Sequence, residues 1–348
     1  MMEMTVFPSL MSESTQTDTV SLRNVFLHVT KACNLHCAYC YFSASKPLPD
    51  EMSSNQFTRL WPELVALRPK KIVFTGGEPL LRPDIVDLLV GLRKADPAHH
   101  VLRCLNTNGH LVTAEVARSL VGLVDEVRVS LDALAERNDA LRGEGNFGAA
   151  MRALECYYAF GFEPKVLVTV TSTSLPDLEE LLCLLIKKNF TRINLNGFRA
   201  IGRGNANMEW AVNPDDVRRI VLRAWARCFP DQPMPTDHLE RGACSNCGVG
   251  SFLNIMPNGD VFPCHVLTGS EFRCGNLREQ SLLDICRRQG FLGQLQALNF
   301  QELANQDEQV ASLARPGTCM GEVYSKSKSL PVWRNNLPLL QVDRRINA

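Results

Sequence analysis

Three cysteines at positions 33, 37 and 40 carry the strongest chemical signal in the chain. They offer three thiolates from one short loop, with three residues and then two residues between them. A four-iron cluster has four irons to ligate, so three thiolates on one cluster leave one iron open to another ligand. An open iron can bind and activate a small molecule, which a purely structural cross-link cannot do. The spacing therefore predicts an open iron–sulfur centre at Cys33, Cys37 and Cys40.

Spacing alone leaves two alternatives for these cysteines. Positions i, i+4 and i+7 share one face of a helix, where small apolar thiols can simply be core. Polar Asn34 and His36 interrupt that face, and the β-branched run Val25–Thr30 leads straight into it, which argues against a buried helix. A zinc site with an open position is the second competitor, although zinc motifs usually pair their ligands as CxxC or HxxxH units.

The CxxxCxxC pattern, with Tyr39 just before its last cysteine, resembles the signature of the radical S-adenosylmethionine (SAM) superfamily. Gly76-Gly77-Glu78-Pro79 is similar to that family's GGEP motif, and later segments match its pocket elements in the same order. The resemblance implies a [4Fe–4S] cluster on the three cysteines, with SAM at the open iron. The residues that it implies for SAM binding are Tyr39, Gly76, Gly77, Glu78, Pro79, Asn108, Ser130, Asp132 and Arg142.

The resemblance also suggests roles within that pocket. Glu78 is expected to accept the methionyl ammonium group, because a carboxylate at the mouth of a barrel suits a charge-assisted bond. Arg142, with Ser130 beside it, is expected to bind the SAM carboxylate. Asn108 is a candidate for the ribose and Tyr39 for packing against adenine, both by analogy.

Composition limits the class of protein and its partners. The chain has 348 residues, 45% hydrophobic and 21% charged, with 37 basic and 37 acidic residues. Zero net charge predicts no bulk attraction to nucleic acid or to an anionic membrane. Thirteen cysteines without a secretory signal favour metal binding in a reducing compartment over disulfides, and no apolar stretch approaches the ~20 residues of a membrane span. We therefore expect a cytoplasmic protein.

Short β-branched runs alternate with amphipathic, helix-like segments in the first two thirds of the chain. The predicted strands are Val25–Thr30, Lys71–Thr75, Val101–Asn106, Glu126–Leu131, Lys165–Thr171 and Arg192–Asn196, and the predicted helices are Ser53–Leu67, Asp84–Ala95, Thr113–Val121, Phe147–Phe160, Leu175–Lys188 and Pro214–Cys228. Six alternations imply a parallel sheet, and the motifs follow strand ends as in barrel enzymes. The predicted fold class is α/β: a flexible arm (1–22), then a partial (β/α)6 TIM-like barrel (23–230).

The alternation stops at three closely spaced prolines, 230–235, which mark a linker. Residues 231–348 are predicted to form a small, Cys-rich α+β domain with a β-hairpin. Asn258-Gly259 between the β-like runs Phe252–Met256 and Val261–Pro263 is a strong hairpin signal. A closed site for zinc or for a second iron–sulfur cluster is predicted from the four thiolates Cys244, Cys247, Cys264 and Cys319.

The spacing Cys247-x11-Gly259-x4-Cys264 resembles the opening of the SPASM domain, which follows many radical SAM barrels. That resemblance favours a second, auxiliary [4Fe–4S] cluster over zinc. The full cysteine array of that domain is missing, which resembles its shortened "twitch" version. Cys274 is interpreted as a ligand or as a thiol that donates hydrogen to substrate. The remaining thiols, at positions 104, 156, 183, 228 and 286, are interpreted as buried.

The resemblance implies an enzyme that reductively cleaves SAM to a 5′-deoxyadenosyl radical and then abstracts hydrogen from an unactivated carbon. Flavodoxin or ferredoxin is the expected reductant. The favoured hypothesis is oxidation or crosslinking of a peptide in natural-product (RiPP) maturation. The alternative is dehydrogenation, epimerisation or decarboxylation of a small sugar, aminocyclitol or nucleoside in antibiotic biosynthesis, which the lack of a leader-binding domain before residue 23 favours. A metal-stabilised scaffold is the remote alternative. A scaffold needs no vacant iron, so the open three-cysteine site argues against it.

Overall fold

A computed structural model of the chain describes residues 18–232 and 248–297. Within these residues, nine strands form one sheet in the order β6-β5-β4-β3-β2-β1-β7-β8-β9. They are β1 (Asn24–Thr30), β2 (Lys71–Gly76), β3 (Leu102–Thr107), β4 (Glu126–Ser130), β5 (Lys165–Val170), β6 (Ile193–Gly197), β7 (Phe252–Ile255), β8 (Asp260–Phe262) and β9 (Gly275–Asn276). Strands β1 to β6 are parallel to their neighbours, which confirms the predicted run of β–α units.

Helices separate consecutive strands of the parallel part. They are α1 (Ser54–Ala66), α2 (Ile85–Ala95), α3 (Ala114–Leu120), α4 (Ala135–Arg142), α5 (Asn146–Ala159) and α6 (Leu178–Lys187). Helix α7 (Pro214–Cys228) lies between β6 and β7, and α8 (Leu282–Ile285) and α9 (Phe291–Ala297) follow β9. The six predicted helices are confirmed to within about three residues. Helix α4 was not predicted, because its sequence AERNDALR has no apolar stripe of helical period. In the described part of the chain, every helix is too short or too polar to span a bilayer.

The helix-covered face of the sheet, here called the outer face, holds the main core. Val25 and Leu27 of β1 lie beside Ile72 and Phe74 of β2, and all four are fully buried. Trp61 of α1 packs on Phe74 with 6.1 Å between ring centroids. Because successive residues of a strand point to opposite faces, the residues between these apolar positions must point to the other, inner face.

The inner face is polar. A cluster of charged side chains around Glu126, here called the hub, closes it at the end where the parallel strands begin, here called the lower end. This carboxylate, at the start of β4, is 6% exposed. Four cations surround it, with N–O distances of 2.5 Å for Arg128, 2.6 Å for Arg192, 3.0 Å for Lys165 and 3.7 Å for Lys71. Each cation lies at or near the start of a strand. The hub therefore links β2, β4, β5 and the start of β6 at the end opposite to the predicted motifs.

The predicted hairpin is present, and it extends the main sheet. β7 and β8 pair antiparallel around the Asn258-Gly259 turn. β7 also pairs in parallel with β1, from Asn24 opposite Phe252 to Leu27 opposite Ile255. This pairing joins segments more than two hundred residues apart in the chain. It places the hairpin turn at the same edge of the sheet as the cysteine loop that follows β1.

Candidate active site

The three cysteines lie in an irregular loop that begins where β1 ends at Thr30. All three side chains are half-buried. The loop turns on itself, since the Cys40 N–H donates to the Cys37 carbonyl at 3.2 Å and the Cys33 N–H donates to Ser45 at 2.9 Å. The region is not helical, so the interpretation of the cysteines as one buried helix face is wrong.

Arg203 fixes the carbonyl groups of this loop from the segment after β6. Its Nε donates to the Cys37 carbonyl at 2.9 Å and its Nη1 donates to Ala44 at 2.7 Å, while its backbone N–H donates to Cys40 at 3.0 Å. The preceding Gly202 has φ +58°, and a Cβ there would lie 2.3 Å from the Tyr41 carbonyl. In the sequence this segment, 199–204, is a short run with two arginines and two glycines. Its Gly-Arg pair is the signal that could have indicated a clamp.

The arrangement of the three thiols is compatible with a cluster. In the described residues, no group of three His, Cys, Asp or Glu side chains converges as one metal ion requires. Each thiolate of a [4Fe–4S] cluster binds a different iron, so the sulfurs need not converge on a point. Burial raises the pKa of Cys33 to about 11 and also raises the pKa of Cys37. Thiolate ligands here therefore require a bound cation.

Gly76 and Gly77 pack against the start of the cysteine loop. A Cβ on Gly76 would lie 2.3 Å from the Thr30 carbonyl, and one on Gly77 would lie 2.0 Å from the Ala32 carbonyl. The N–H groups of Gly77 and Glu78 donate to those two carbonyls, each at 2.8 Å. The SAM-binding role that the resemblance implies for Gly76, Gly77 and Pro79 stays a prediction. The structure adds a second task for the glycines, which is to let β2 and the cysteine loop touch; Pro79 is buried beside them.

Glu78 is a fully buried carboxylate whose hydrogen-bond donors in the described structure are all neutral. Oε1 accepts from the Leu80 N–H at 3.2 Å and from the Thr107 hydroxyl at 2.9 Å, and Oε2 accepts from the Asn108 N–H at 2.7 Å. Burial raises the pKa of Glu78 to about 7 despite these bonds. A buried carboxylate of this kind is stabilised by a cation, and an ammonium group supplies one.

Asn108 connects the end of β3 to the cysteine loop. Its Nδ2 donates to Asn34 Oδ1 at 2.8 Å and lies 3.9 Å from Cys33 Sγ. Its Oδ1 accepts from the His110 N–H at 3.0 Å. The ribose role expected for Asn108 is untested, and the structure adds a positioning role that the sequence did not indicate. Hydrogen bonds to cluster sulfurs tune the reduction potential of a cluster.

Tyr39, Asp132 and Arg142 form one buried network behind the cysteine loop. The Tyr39 hydroxyl donates to Asp132, and Arg142 Nε lies 3.2 Å from Asp132 Oδ2. The guanidinium carbon of Arg142 is 5.8 Å from the centre of the Tyr39 ring. Asp132 also accepts from the Thr169 N–H at 2.7 Å, whereas half-buried Ser130 lies just before it on β4. Arg142 thus already neutralises Asp132. A SAM carboxylate that bound Arg142 would have to share the guanidinium with Asp132.

Only part of the predicted auxiliary site lies in the described residues. Cys244, Cys247 and Cys319 lie outside them. Cys264 is 9% exposed, and its sulfur accepts from the Leu267 N–H at 3.3 Å. Cys274 lies against the apolar core, where burial first, and then Cys286 and Cys264, raise its pKa. Cys104 and Cys286 are fully buried as expected, whereas Cys156, Cys183 and Cys228 are half-buried.

Comparison with known proteins gives this arrangement a family. Residues 27–182 match the model of the Radical SAM superfamily, and residues 240–320 match that of SPASM, an iron–sulfur cluster-binding domain. The second match favours iron–sulfur over zinc at the auxiliary site. A mycofactocin maturase MftC from Mycobacterium ulcerans is 34% identical over 264 residues, which cover 72% of this chain and 70% of that protein.

Two further proteins resemble this chain at lower identity or over a smaller part of its length. An Fe-coproporphyrin III synthase from Methanosarcina barkeri is 30% identical over 57% of this chain and 49% of its own length. The crystal structure of Streptococcus suis SuiB bound to precursor peptide SuiA has a TM-score of 0.65 at 17% identity, over 81% of this chain and 68% of that one. This chain therefore belongs to the radical SAM superfamily of enzymes, whose cofactors are a [4Fe–4S] cluster and SAM, and it carries the auxiliary iron–sulfur domain known as SPASM.

Proposed function

We propose that this enzyme modifies a peptide, by oxidation or crosslinking at an unactivated carbon, in the maturation of a peptide natural product. When bound, the cluster and SAM supply a carbon radical that can remove a hydrogen atom. Cys33, Cys37 and Cys40 hold the cluster in this proposal, and flavodoxin or ferredoxin is the proposed reductant. The observation that carries the proposal is the fully buried Glu78, which has only neutral donors among the described residues and lies beside the cysteine loop.

The residues around the loop supply orientation and exclude water. Glu78 binds the methionyl ammonium group of SAM through a charge-assisted hydrogen bond. Asn108 and Arg203 hold the loop that carries the thiols. The buried Tyr39–Asp132–Arg142 network closes the space behind Cys37 and keeps a guanidinium near it, which lowers the cost of a thiolate. Orientation by fixed groups is the main contribution of protein to cofactor chemistry.

A cavity beside the loop supports a peptide as the substrate. It has a volume of about 250 Å³ and opens between the cysteine loop and the β7–β8 hairpin. Its lining residues are Lys31, Tyr41, Phe42, Leu48, Met256, Pro257, Asn258, Asp260, Phe262, His265 and Thr268. Charges of both signs and aromatic rings in one open cleft suit a polar chain with apolar side groups. The maturase relative supports the same class, whereas the coproporphyrin synthase relative supports a tetrapyrrole as the second candidate.

The test uses anaerobically reconstituted enzyme with a strong reductant. We expect slow formation of 5′-deoxyadenosine without substrate, and its loss when the three loop cysteines are changed to Ala. Short peptides encoded beside the gene are then compared, by mass spectrometry, with a panel of porphyrins and their precursors as substrates, because the synthase relative is named for a porphyrin product. Loss of two hydrogens from a peptide supports the proposal. Conversion of a porphyrin or precursor with every peptide unchanged would replace the peptide by the second candidate.

The type of reaction depends on the fate of the substrate hydrogen. An oxidation transfers one substrate deuterium into 5′-deoxyadenosine for each product formed. In an epimerisation, a thiol returns hydrogen to the same carbon, and Cys274 is our proposed donor for that alternative. The position of Cys274 against the apolar core, beside Cys264, suits a ligand of the auxiliary site better than a hydrogen donor. Solvent deuterium in the product, lost in Cys274→Ala, would establish epimerisation.

A further inference from the structure

Two cysteines on neighbouring helices of the outer face lie with their sulfur atoms in contact. Cys183 is on α6, Cys228 is the last residue of α7, and their Sγ atoms are 3.1 Å apart. A disulfide bond is about 2.05 Å long, so the two sulfurs need to approach by only about 1 Å to form one. Both thiols are half-buried, which leaves them accessible to a small reagent.

The pair is separate from both iron–sulfur regions. The cluster loop follows β1 and Cys264 follows β8, whereas these two thiols lie on the helices before and after the edge strand β6. In the part of the chain that the structure describes, no third His, Cys, Asp or Glu side chain joins them in a group that could hold a metal ion. A structural zinc site needs four ligands. The chemistry open to Cys183 and Cys228 is therefore that of a dithiol.

Salt bridges between α6 and α7 bring the two sulfurs together. Arg223 Nε donates to Glu179 Oε2 at 2.9 Å, and Arg227 donates to Glu180. Cys183 lies one helical turn after Glu179, so its contact with α7 continues the same row of contacts. These ion pairs do not involve the thiols. They therefore hold the helices side by side while both cysteines are reduced.

Helix α7 has little buried surface of its own to fix its position. Among its 15 residues, Ala224 alone is buried. Exposed salt bridges such as those with α6 contribute little stability. The helix also follows the 3₁₀ segment 202–210, which carries Arg203, and Arg203 holds the cysteine loop. A covalent bond from α6 to α7 would therefore restrain the helix that adjoins this segment.

We propose that Cys183 and Cys228 are a redox-active pair that closes reversibly to a disulfide between α6 and α7 on exposure to a small disulfide oxidant, such as glutathione disulfide. One cysteine sulfur attacks the oxidant, whose S–S bond breaks and releases one glutathione thiol. The other cysteine then displaces the second glutathione. Two electrons and two protons pass from the protein to glutathione, so one disulfide replaces another.

The surroundings of Cys183 keep the pair reduced until the oxidant is in excess. Burial, and then the Cys228 sulfur beside it, raise the pKa of Cys183 to about 11. This sulfur is therefore a protonated thiol near pH 7, and the thiolate is the form that attacks a disulfide. Exchange at Cys183 is consequently slow, and a reducing compartment keeps such thiols open. The inference does not depend on the substrate of the enzyme.

The experiment incubates the anaerobically reconstituted enzyme with excess glutathione disulfide, alkylates the remaining thiols and identifies linked peptides by mass spectrometry. We expect a disulfide between the peptides of Cys183 and Cys228 in most chains, and its loss after dithiothreitol. Cys183→Ser and Cys228→Ser should each abolish it. Cys156→Ser, at a half-buried thiol on α5, is the matched control and should leave it unchanged. Iron content before and after incubation checks that the cluster cysteines stay ligated.

A second measurement tests the restraint on α7. The disulfide closes a loop of 45 residues, so the oxidised wild type should melt roughly 5 °C or more above the reduced wild type. The double variant Cys183→Ser with Cys228→Ser should melt at one temperature with or without oxidant. A wild type that forms no link between Cys183 and Cys228, although Cys156 has reacted with glutathione, would overturn the inference. Equal melting temperatures of the linked and reduced wild type would overturn the proposed tie between the helices.

Discussion

Arg203 shows how a residue remote in sequence can control a metal loop. Its side chain donates to two carbonyls of the cysteine loop, on Cys37 and Ala44, from the segment after β6. A planar guanidinium can reach two carbonyls at once, which a lysine ammonium does less well. The thiols are therefore positioned by a clamp on the backbone as well as by bonds within the loop.

We predict that Arg203→Ala lowers the iron bound per chain after anaerobic reconstitution. Two hydrogen bonds to charged groups contribute about 3–6 kcal/mol before relaxation, so loop order should fall measurably. Arg203→Lys should retain an intermediate amount of iron. Arg218→Ala, on the exposed side of α7, is the control. Wild-type iron content in Arg203→Ala would show that the loop holds its shape without the clamp.

Replacing the Glu78 carboxylate should separate SAM binding from cluster binding. Glu78→Gln keeps one oxygen for the Leu80 and Thr107 donors but removes the charge. Because a charge-assisted bond contributes about 1.5–3 kcal/mol, the dissociation constant of SAM should rise roughly 10- to 100-fold, with iron content unchanged. Equilibrium binding of SAM to the reconstituted variant checks this. Unchanged affinity would remove Glu78 from the pocket.

At the scale of single residues, the sequence indicated candidate site residues but did not indicate the contacts that they make. The spacing of the cysteines and the GGEP segment could be recognised because each motif is local. The contacts of Gly76 and Gly77 with the Thr30 and Ala32 carbonyls could not be predicted, because they join two segments that are distant in the chain. The contact between His28 of β1 and Asn254 of β7, whose side chains lie 3.1 Å apart, could not have been predicted. Their meeting depends on strand pairing over a long stretch of chain, which no local pattern encodes.

Among the elements, the strands and helices of the barrel were predictable because their periodicity is local. The Asn258-Gly259 hairpin was predictable for the same reason. Its docking beside β1 was not, because a parallel pairing of distant strands leaves no spacing signal in the sequence. Helix α4 was missed because a polar sequence carries no stripe, although its Asn138 is fully buried and accepts from the Asp132 N–H at 3.0 Å.

The charged hub at the lower end of the sheet predicts a dependence of stability on pH. Burial opposes ionisation of Glu126, but Arg128 and Lys165 outweigh it and lower its pKa to about 2. The pKa of the unfolded chain is near 4.5, so the hub contributes fully above that pH and loses its contribution as the pH falls towards 2. Urea unfolding of the metal-free protein at pH 7 and pH 3 measures the loss.

Glu126→Gln should remove most of that dependence. It leaves the surrounding cations without their shared anion and should cost about 3 kcal/mol at neutral pH, the lower end for a broken buried pair because the cations are partly exposed. Glu155→Gln, which breaks an exposed pair with Lys188, is the matched control and should cost less than about 1 kcal/mol. Equal losses in the two variants would mean that the hub is an ordinary surface network.

For the molecule as a whole, β1 is the strand on which both iron–sulfur regions depend. Its end leads into the cysteine loop, and its side pairs with β7, whose hairpin leads to Cys264. The match of residues 240–320 to the iron–sulfur domain therefore describes a segment that is also part of the main sheet. The two regions share one sheet instead of meeting only through a linker.

A chain truncated after residue 232 should consequently aggregate. Without the hairpin, β1 becomes an edge strand, and its unpaired N–H and C=O groups can pair with another chain. We expect the truncated protein to be mostly insoluble when expressed, as measured by the soluble fraction after centrifugation. The full-length chain, expressed in parallel, is the control. A soluble, monomeric truncated barrel with three-cysteine iron binding would show that β1 tolerates exposure.

The same pairing imposes an order in time on the synthesis of the protein. Strand β1 leaves the ribosome early, whereas β7 follows more than two hundred residues later. At about 5–20 residues per second, the first strand waits roughly 10–45 s for this partner. The sheet beside the cysteine loop thus remains incomplete until roughly three quarters of the chain has been made. Slower translation would lengthen that interval. During it, a chaperone or an iron–sulfur donor has access to the unpaired edge of β1.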